Sequence, residues 1–244
     1  MDILIVTAPK DFNKLQFAVE SIRQNVDEVD EIICISPEII PAAYLPSEVF
    51  TYLDGEVIDF DFSLINMKHR RGWYRQQFIK LFQEVTFSNY LVVDSDVFIC
   101  KKLNNMDTCP VFYLGKDQFH KPYFNLMKDI VNLDRVYPHS FISEIMYFRK
   151  DIIDHMLNYL KIDPYEFFLR CVEYINTAND ASGFSEYELY GNYASKNFPE
   201  TYQYEHINVL HQAKKRLWTD DEISNHIKEN MNKEYDLLTM HSWI

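Results

Sequence analysis

Three short stretches of this chain are apolar at every position: Ile3-Leu4-Ile5-Val6, Ile32-Ile33-Cys34-Ile35 and Tyr90-Leu91-Val92-Val93. A strand with no polar alternation has both faces covered, the habit of parallel strands sandwiched between helices. The first stretch ends in Thr7-Ala8-Pro9, a loop signal. A helical pattern follows from about 12 to 25, with Leu15, Val19, Ile22 and Val26 on one face. Strand, helix and strand in that order predict a βαβ unit and a parallel sheet. The chain is therefore expected to be α/β, with a mostly parallel central sheet flanked by helices. Its 244 residues suit one domain over 1–244, large enough to bury a core without disulfides or a structural metal.

The remaining elements rest on local signals. Residues 56–60 read as a third strand, and Gly72 opens a helix over about 73–84. Residues 113–124 read as irregular, with Gly115 and Pro122. A strand or a lead into a helix is expected at 142–148. Helices are expected over 151–161, over 164–176 with Pro164 in its first turn, and from Ser185 to about 196. Thr219 and Glu222 form a capping box that heads a helix towards 232. No repeat, low-complexity segment or linker divides the chain.

Composition excludes several classes. The formal net charge of −13 disfavours a protein that wraps nucleic acid or lies on anionic lipid. No apolar run reaches the ~18–20 residues of a membrane helix. Structure begins at once with Asp2-Ile3-Leu4-Ile5-Val6-Thr7, without the features of a signal peptide, so a soluble, cytoplasmic protein is expected. The four cysteines, Cys34, Cys100, Cys109 and Cys171, form no CxxC pair and are expected to be reduced thiols.

Only five glycines are present, and neither GxGxxG nor a P-loop can be written from them. A phosphate-bearing ligand would have to be met by placed lysines and arginines or by a cation. Two Asp-x-Asp triplets can hold a hard divalent ion: Asp59-Phe60-Asp61 and Asp94-Ser95-Asp96. Alternate residues of an extended segment point the same way, so each pair is expected to present its carboxylates together. Asp94 directly follows a buried strand, and ligands of open α/β sheets sit outside the carboxyl ends of the strands. Ser95 is small enough for close approach. Asp59-Phe60-Asp61, with its aromatic centre, reads as a half-exposed strand or turn.

With Asp94-Ser95-Asp96 in place, the sequence resembles the GT-A class of glycosyltransferases, and within it a bacterial and viral set of GT-A-like proteins. The stretch Arg71-Gly72-Trp73-Tyr74-Arg75-Gln76-Gln77-Phe78-Ile79-Lys80-Leu81 carries the resemblance further, as do Phe184 to Gly191 and His241-Ser242-Trp243. The resemblance implies a single-domain, Rossmann-like GT-A fold and transfer of a sugar from a nucleotide-diphosphate sugar, with Mn2+ or Mg2+. It implies that Thr7, Ala8 and Lys10, in the loop after the first strand, border the nucleoside. Asp94, Ser95 and Asp96 would line the donor site, with Asp94, Asp96 and His241 about the metal. Arg71 and Lys80 would touch the diphosphate or the donor sugar, and Glu186 would be the catalytic base. The acceptor, whether glycan, lipid-linked or protein, does not follow.

The residues themselves support parts of this. Gln76 and Lys80 are four apart on one helix and share a face. Ser185 and Glu188 read as a capping box, which leaves Glu186 as the freer carboxylate, expected to face outward and to be kept ionised by the helix N-terminus. His241 can ligate only if the tail folds back, with Met240 and Trp243 as apolar anchors. His139 reads as a packed histidine, and Trp73, Tyr187 and Tyr190 as core aromatics.

Three other classes compete. A phosphatase of the haloacid dehalogenase type also places Asp-x-Asp after an apolar strand, with a nucleophilic first Asp. That motif lies on the first strand and carries Thr or Val where this chain has Phe98. A nucleotidyltransferase would show a Gly-rich basic loop where Thr7-Ala8-Pro9-Lys10 stands. A nucleotide-sugar-binding module without catalysis would share the whole pattern.

Overall fold

The computed structural model describes residues 1–242 apart from 88, 104, 105, 107, 117, 179, 180, 215, 231 and 232. In chain order its elements are β1 (Asp2–Val6), α1 (Leu15–Asn25), β2 (Ile32–Ser36), β3 (Phe50–Leu53), α2 (Asp54–Val57), α3 (Arg71–Phe82), β4 (Asn89–Val93), β5 (Val97–Ile99), β6 (Val111–Leu114), α4 (Lys121–Val131), β7 (Ile145–Arg149), α5 (Lys150–Leu160), α6 (Pro164–Ala178), α7 (Glu186–Asn197), β8 (Gln203–His206), β9 (Val209–Lys214), α8 (Asp220–Asn230) and β10 (Leu237–Ser242). No helix among the described residues is long and apolar enough to cross a membrane.

The main sheet has the order β3-β2-β1-β4-β7. The first four strands are parallel and β7 runs antiparallel to β4. β1 and β2 are buried at every position, as their unbroken apolar runs require. The expected α/β class and mostly parallel sheet are therefore what the chain builds. The strand order reverses between β1 and β4. Such a switch point opens a crevice at the carboxyl ends of the strands, and here the segments after Val6 and after Val93 both leave from that end. The antiparallel β7 adds its own approach: Ile145 pairs with Val93, so the residue before Ile145 lies beside the residue after Val93.

A second sheet, β5-β10-β9, stands next to the first. The C-terminal β10 is its central strand, antiparallel to β5 and parallel to β9. Polar side chains of α1 tie β5 down. Ser21 Oγ accepts from the Ile99 amide at 3.0 Å, and Asn25 Nδ2 donates to the Ile99 carbonyl at 2.8 Å. Ala18, Phe98, Trp218, Ile223, Leu238 and Met240 form a small apolar cluster there. Met240 is an anchor of the tail, as expected; Trp243 lies outside the described residues.

Several expectations are corrected. The third strand is Phe50–Leu53, and residues 54–57 form a short helix whose first turn is closed by Glu56, which accepts from the Leu53 amide at 2.9 Å. The stretch 113–124 is not irregular throughout: β6 covers Val111–Leu114 between Pro110 and Gly115, and α4 starts at Lys121 with Pro122 in its first turn. β8 and β9, largely exposed, carried no legible periodicity. The capping box at Thr219 and Glu222 forms in both directions, at 3.0 and 3.3 Å. All four cysteines are free thiols.

Two helical glycines face opposite surroundings. A Cβ on Gly191 of α7 would lie 2.2 Å from the buried Phe141 ring, whereas one on Gly72 of α3 would meet nothing within 4 Å. Gly191 thus lets the segment before β7 press against α7. Alanine at Gly191 gains about 1 kcal/mol of helix propensity but overpacks the core by ~1–3 kcal/mol or more. Gly191→Ala is expected to destabilise by ~2 kcal/mol or more at the upper end of that balance, and Gly72→Ala to stabilise by up to ~1 kcal/mol. Urea denaturation of both variants checks the opposite signs.

Candidate functional site

Asp94-Ser95-Asp96 is a tight turn and not an extended segment. The Val97 amide donates to the Asp94 carbonyl at 3.1 Å, closing the link from β4 to β5. The two carboxylates therefore diverge, and each joins a different group of side chains.

Asp94 belongs to a buried cluster with α3 and α7. Lys80 Nζ lies 2.6 Å from Asp94 Oδ1 and 2.8 Å from Glu186 Oε1. The Tyr187 hydroxyl donates to Asp94 Oδ1 at 3.1 Å, and the ammonium sits 4.5 Å from the Tyr187 ring centroid. Burial pulls the Lys80 pKa down, but Asp94, Glu186 and Tyr187 outweigh it and hold the ammonium charged well above its ordinary value. Burial pushes the Glu186 carboxyl up, and Lys80 offsets only part of that rise. Burial and then Asp94 hold the Tyr187 phenol well above its usual range, so it acts as a donor. One cation here faces two carboxylates, an arrangement that is stable in the interior only while its hydrogen bonds are complete.

Asp96 belongs to the second sheet. The Met240 amide donates to the Asp96 carbonyl at 2.9 Å, and His241 Nδ1 lies 2.9 Å from Asp96 Oδ2. The tail thus does fold back onto the triplet, as strand β10. Trp218 Nε1 donates to the His241 carbonyl at 3.1 Å and Lys10 Nζ to the Ser242 carbonyl at 3.0 Å, fixing the strand's end. The fully buried Lys14 donates to Asp11 at 2.6 Å and to Ser242 Oγ at 3.2 Å. Burial acts to raise Asp96, but the His241 hydrogen bond and charge, with Lys14 and Lys10 behind them, hold it below the usual carboxylate range. Burial lowers His241, but Asp96, Glu144 and Asp94 push it up to about 9.

Glu144 and His211 complete this side of the crevice. Glu144 stands just before β7, its carbonyl accepting from the Asp94 amide at 3.1 Å, with φ of 67°. A non-glycine residue in that region is strained. Burial and then Asp94 push its carboxyl up to about 8. His211 on β9 pairs in register with Thr239, and its Nδ1 lies 3.0 Å from Thr239 Oγ1. Its ring lies 5.9 Å from that of His241, 18° from parallel. Burial, His241 and Lys116 lower its pKa, keeping it neutral at pH 7. Ligand atoms of Glu144, His211 and His241 all lie within 4.8 Å of one another. Carboxylate oxygen and imidazole nitrogen are donors for a divalent transition ion, so the residues present fit such an ion.

The other residues named from the sequence scatter. Thr7 is buried and its hydroxyl has no hydrogen-bond partner among the described residues; Ala8 is half-buried. Ser95 is buried in the turn. The Arg71 guanidinium donates to the carbonyls of Ile65 and Ser63 at 2.8 and 2.6 Å, which gives it a structural task. Gln76 is half-buried, while its neighbour Gln77 is buried and accepts from the Glu186 amide at 3.3 Å. Glu186 faces inward, 3% exposed, not outward. Ser185 caps α7, but Glu188 does not close a capping box: its carboxylate takes Ser140 Oγ at 2.6 Å and Asn192 Nδ2 at 3.1 Å. Asp59 and Asp61 are exposed, and Asp61 caps the short 3-10 turn Phe62–Leu64 through the Ser63 amide. His139 is half-buried, edge-on to His206 at 4.5 Å. Tyr190 is core, and Tyr187 is both core and site. Glu144, His211, Lys14 and Asp11 were not singled out from the sequence. Only the Asp-x-x-Lys spacing, in the 3-10 turn Pro9–Lys14 ahead of α1, hinted at the last two.

An open groove of about 530 Å³ borders the same crevice, lined by Pro9, Lys10, Asn13, Tyr44, Leu217, Trp218, Thr219, Asp220 and Asp221. Over residues 1–242 the chain belongs to DUF6492, a family of unknown function. No curated protein matches the sequence. Among solved structures it is similar to the galactosyltransferase LgtC in complex with donor and acceptor sugar analogs, at 12% identity over 98% of this chain and 87% of that chain, with a TM-score of 0.49. An active-site mutant of LgtC gives 11%, 98%, 87% and 0.49. Mouse xyloside xylosyltransferase 1 in its apo form gives 12%, 98%, 97% and 0.48. Likeness at this level assigns no activity.

The titrations set a pH dependence for the chelator-treated protein. His241, raised from 6.5 to about 9, stabilises fully below about pH 6.5, and that stability is lost as pH rises through 9. Glu144, raised from 4.5 to about 8, acts in the same direction. The melting temperature is expected to fall between pH 6.5 and 9 by roughly 2–4 °C per kcal/mol lost, and His241→Asn should flatten that slope. Scanning fluorimetry across this range checks both; a flat profile for the wild type would refute the assignment.

Proposed function

We propose that this protein transfers a sugar from a nucleoside-diphosphate donor to a hydroxyl acceptor with the help of a divalent cation beside Asp96 and His241. One observation carries the reading. At the switch point of the sheet, β10 sets His241 against Asp96 while Lys80 bridges Asp94 and Glu186 a few residues away. That crevice combines surplus carboxylates with a few fixed ammonium groups, a composition suited to an anionic ligand only when a cation accompanies it. When bound, the cation would neutralise the diphosphate and stabilise it as a leaving group.

The chain's own residues take the remaining tasks. Lys10, at the wall of the groove beside β1, faces the diphosphate, and the groove accepts the nucleoside, with Tyr44 and Trp218 as flat surfaces. Lys80 orients Asp94 towards the donor sugar. Glu186, whose proton affinity burial raises, takes the acceptor proton if the transfer inverts; if it retains, Glu186 holds Lys80 in place. Arg71 lacks support for a donor contact.

The inward pairing of Glu186 with Lys80 favours a second reading, a module that binds the nucleotide sugar and does not turn it over. A thermal-shift panel of nucleotide sugars with and without Mn2+ tests the common part through ligand-linked stabilisation. Mn2+-dependent stabilisation by at least one donor is expected, and its loss in Asp96→Ala. A flat panel refutes both readings. Glu186→Gln should keep donor binding and slow transfer or donor hydrolysis by ~10²–10⁴-fold. Donor binding without any turnover by the wild type selects the second reading.

A further inference from the structure

We infer that the cation beside Asp96 is held by Glu144, His211 and His241, with Asp96 orienting His241 and Asp94 outside the set, and that these imidazole-rich ligands prefer Mn2+ and Co2+ to Mg2+ and Ca2+. The inference rests on the proposed cation site and departs from the ligand set that the Asp-x-Asp spacing suggests.

Asp94 is already engaged. Its Oδ1 receives Lys80 at 2.6 Å and the Tyr187 hydroxyl at 3.1 Å. The turn at Ser95 sends its side chain to the α3–α7 side while Asp96 goes to the β10 side. Glu144 replaces it. The register of β7 on β4 places Glu144 beside Asp94, and its backbone is held at φ of 67°. Among the described residues no hydrogen bond reaches its carboxylate, although burial penalises its charge. A strained backbone that presents an unpartnered acid to two imidazoles is accounted for by a ligand between them.

The imidazoles come from adjacent parallel strands. β9 and β10 pair His211 with Thr239 and Ala213 with His241, which sets the two rings side by side at 5.9 Å. Each ring is oriented through Nδ1, His211 by Thr239 at 3.0 Å and His241 by Asp96 at 2.9 Å. Outer hydrogen bonds of that kind fix the orientation of metal-binding histidines. The ligand atoms of the three residues lie within 4.8 Å of one another, a separation that bonds of about 2.0–2.6 Å to a shared ion can span. Two nitrogen donors favour borderline transition ions, whereas Mg2+ and Ca2+ favour oxygen alone.

The test is cation binding to the metal-stripped protein, followed by thermal shift with Mn2+, Co2+, Mg2+ and Ca2+ and by the visible absorption of Co2+. Mn2+ is expected to bind at least ~10-fold more tightly than Mg2+. His211→Ala and Glu144→Gln should each weaken Mn2+ by about 10–100-fold and alter the Co2+ spectrum. Asp94→Asn should stay within about 3-fold of wild type, since it leaves the ligand set intact. His211 lies exposed on an edge strand, so its replacement does not threaten the fold. Equal affinity for Mg2+ and Mn2+ overturns the inference, as does loss of binding in Asp94→Asn with none in His211→Ala. Cation binding with the expected pattern but no stabilisation by any nucleotide sugar would sink the sugar-transfer reading and leave this site standing. Donor binding that needs Mn2+ yet ignores His211 and Glu144 would do the reverse.

Discussion

The hydrogen bond between His241 and Asp96 joins residues 145 positions apart, and the site exists only where it forms. Without β10, Asp96 and Glu144 would stand as acids at a sheet edge with no imidazole to meet them. With β10 inserted between β5 and β9, the tail supplies a histidine, a backbone donor to the turn and the neighbour that positions His211. The contact is in turn secured from outside the strand. Trp218 and Lys10 hold the carbonyls of His241 and Ser242, and the apolar cluster around Met240 anchors the residue before them. A short terminal strand with this many fixed partners is ordered enough to deliver a ligand.

Charge distribution follows from the same turn. The two aspartates of one triplet are directed to two environments, one closed by a lysine and a phenol and the other by a histidine. On the α3–α7 side Lys80 offsets Asp94 and Glu186 through short, buried contacts, and a phenol completes the set. On the β10 side Asp96 and Glu144 face histidines whose charge depends on pH. The first group sets one ammonium and a phenol against two carboxylates and closes on its own hydrogen bonds. The second is balanced only by protons or by a cation. That asymmetry is the basis of the cation site proposed beside Asp96.

Much of the fold was legible because its signals are local. β1, β2 and β4 announce themselves by unbroken apolar runs. α1, α5 and α6 do so by one buried stripe, and α8 by its capping box. β6 was within reach, since Val111–Leu114 is a wholly apolar run between Pro110 and Gly115, but it is only four residues long. β8 and β9 were out of reach: mostly exposed strands bury no alternating face and so leave no period to read. Of the residues that meet at the crevice, Asp94 and Asp96 stood out by residue type and strand context, whereas Lys80, Glu186 and His241 were named through the resemblance to GT-A glycosyltransferases. Their roles were read less well. Glu186 faces inward because the first turn of α7 packs on α3, which no cap rule reports. Gln77 takes the place foreseen for Gln76 because the buried face of α3 is one residue round from the i, i+4 line through Lys80. Glu188 serves Ser140 and Asn192 because the segment before β7 passes within reach of it.

By itself the sequence determined the α/β class, the strand that ends at Asp94 and the lack of any glycine-rich phosphate loop, so that a phosphate-bearing ligand would have to be met by charged side chains or an ion. These depend on periodicity and residue type, which act over a few positions. Tertiary structure alone decided which acids share a space. Glu144 and His211 stand in no motif, and they reach Asp96 and His241 only through the register of β7 on β4 and of β9 on β10. Register is set by which faces are buried when distant strands meet, so those neighbours cannot be read from spacing along the chain.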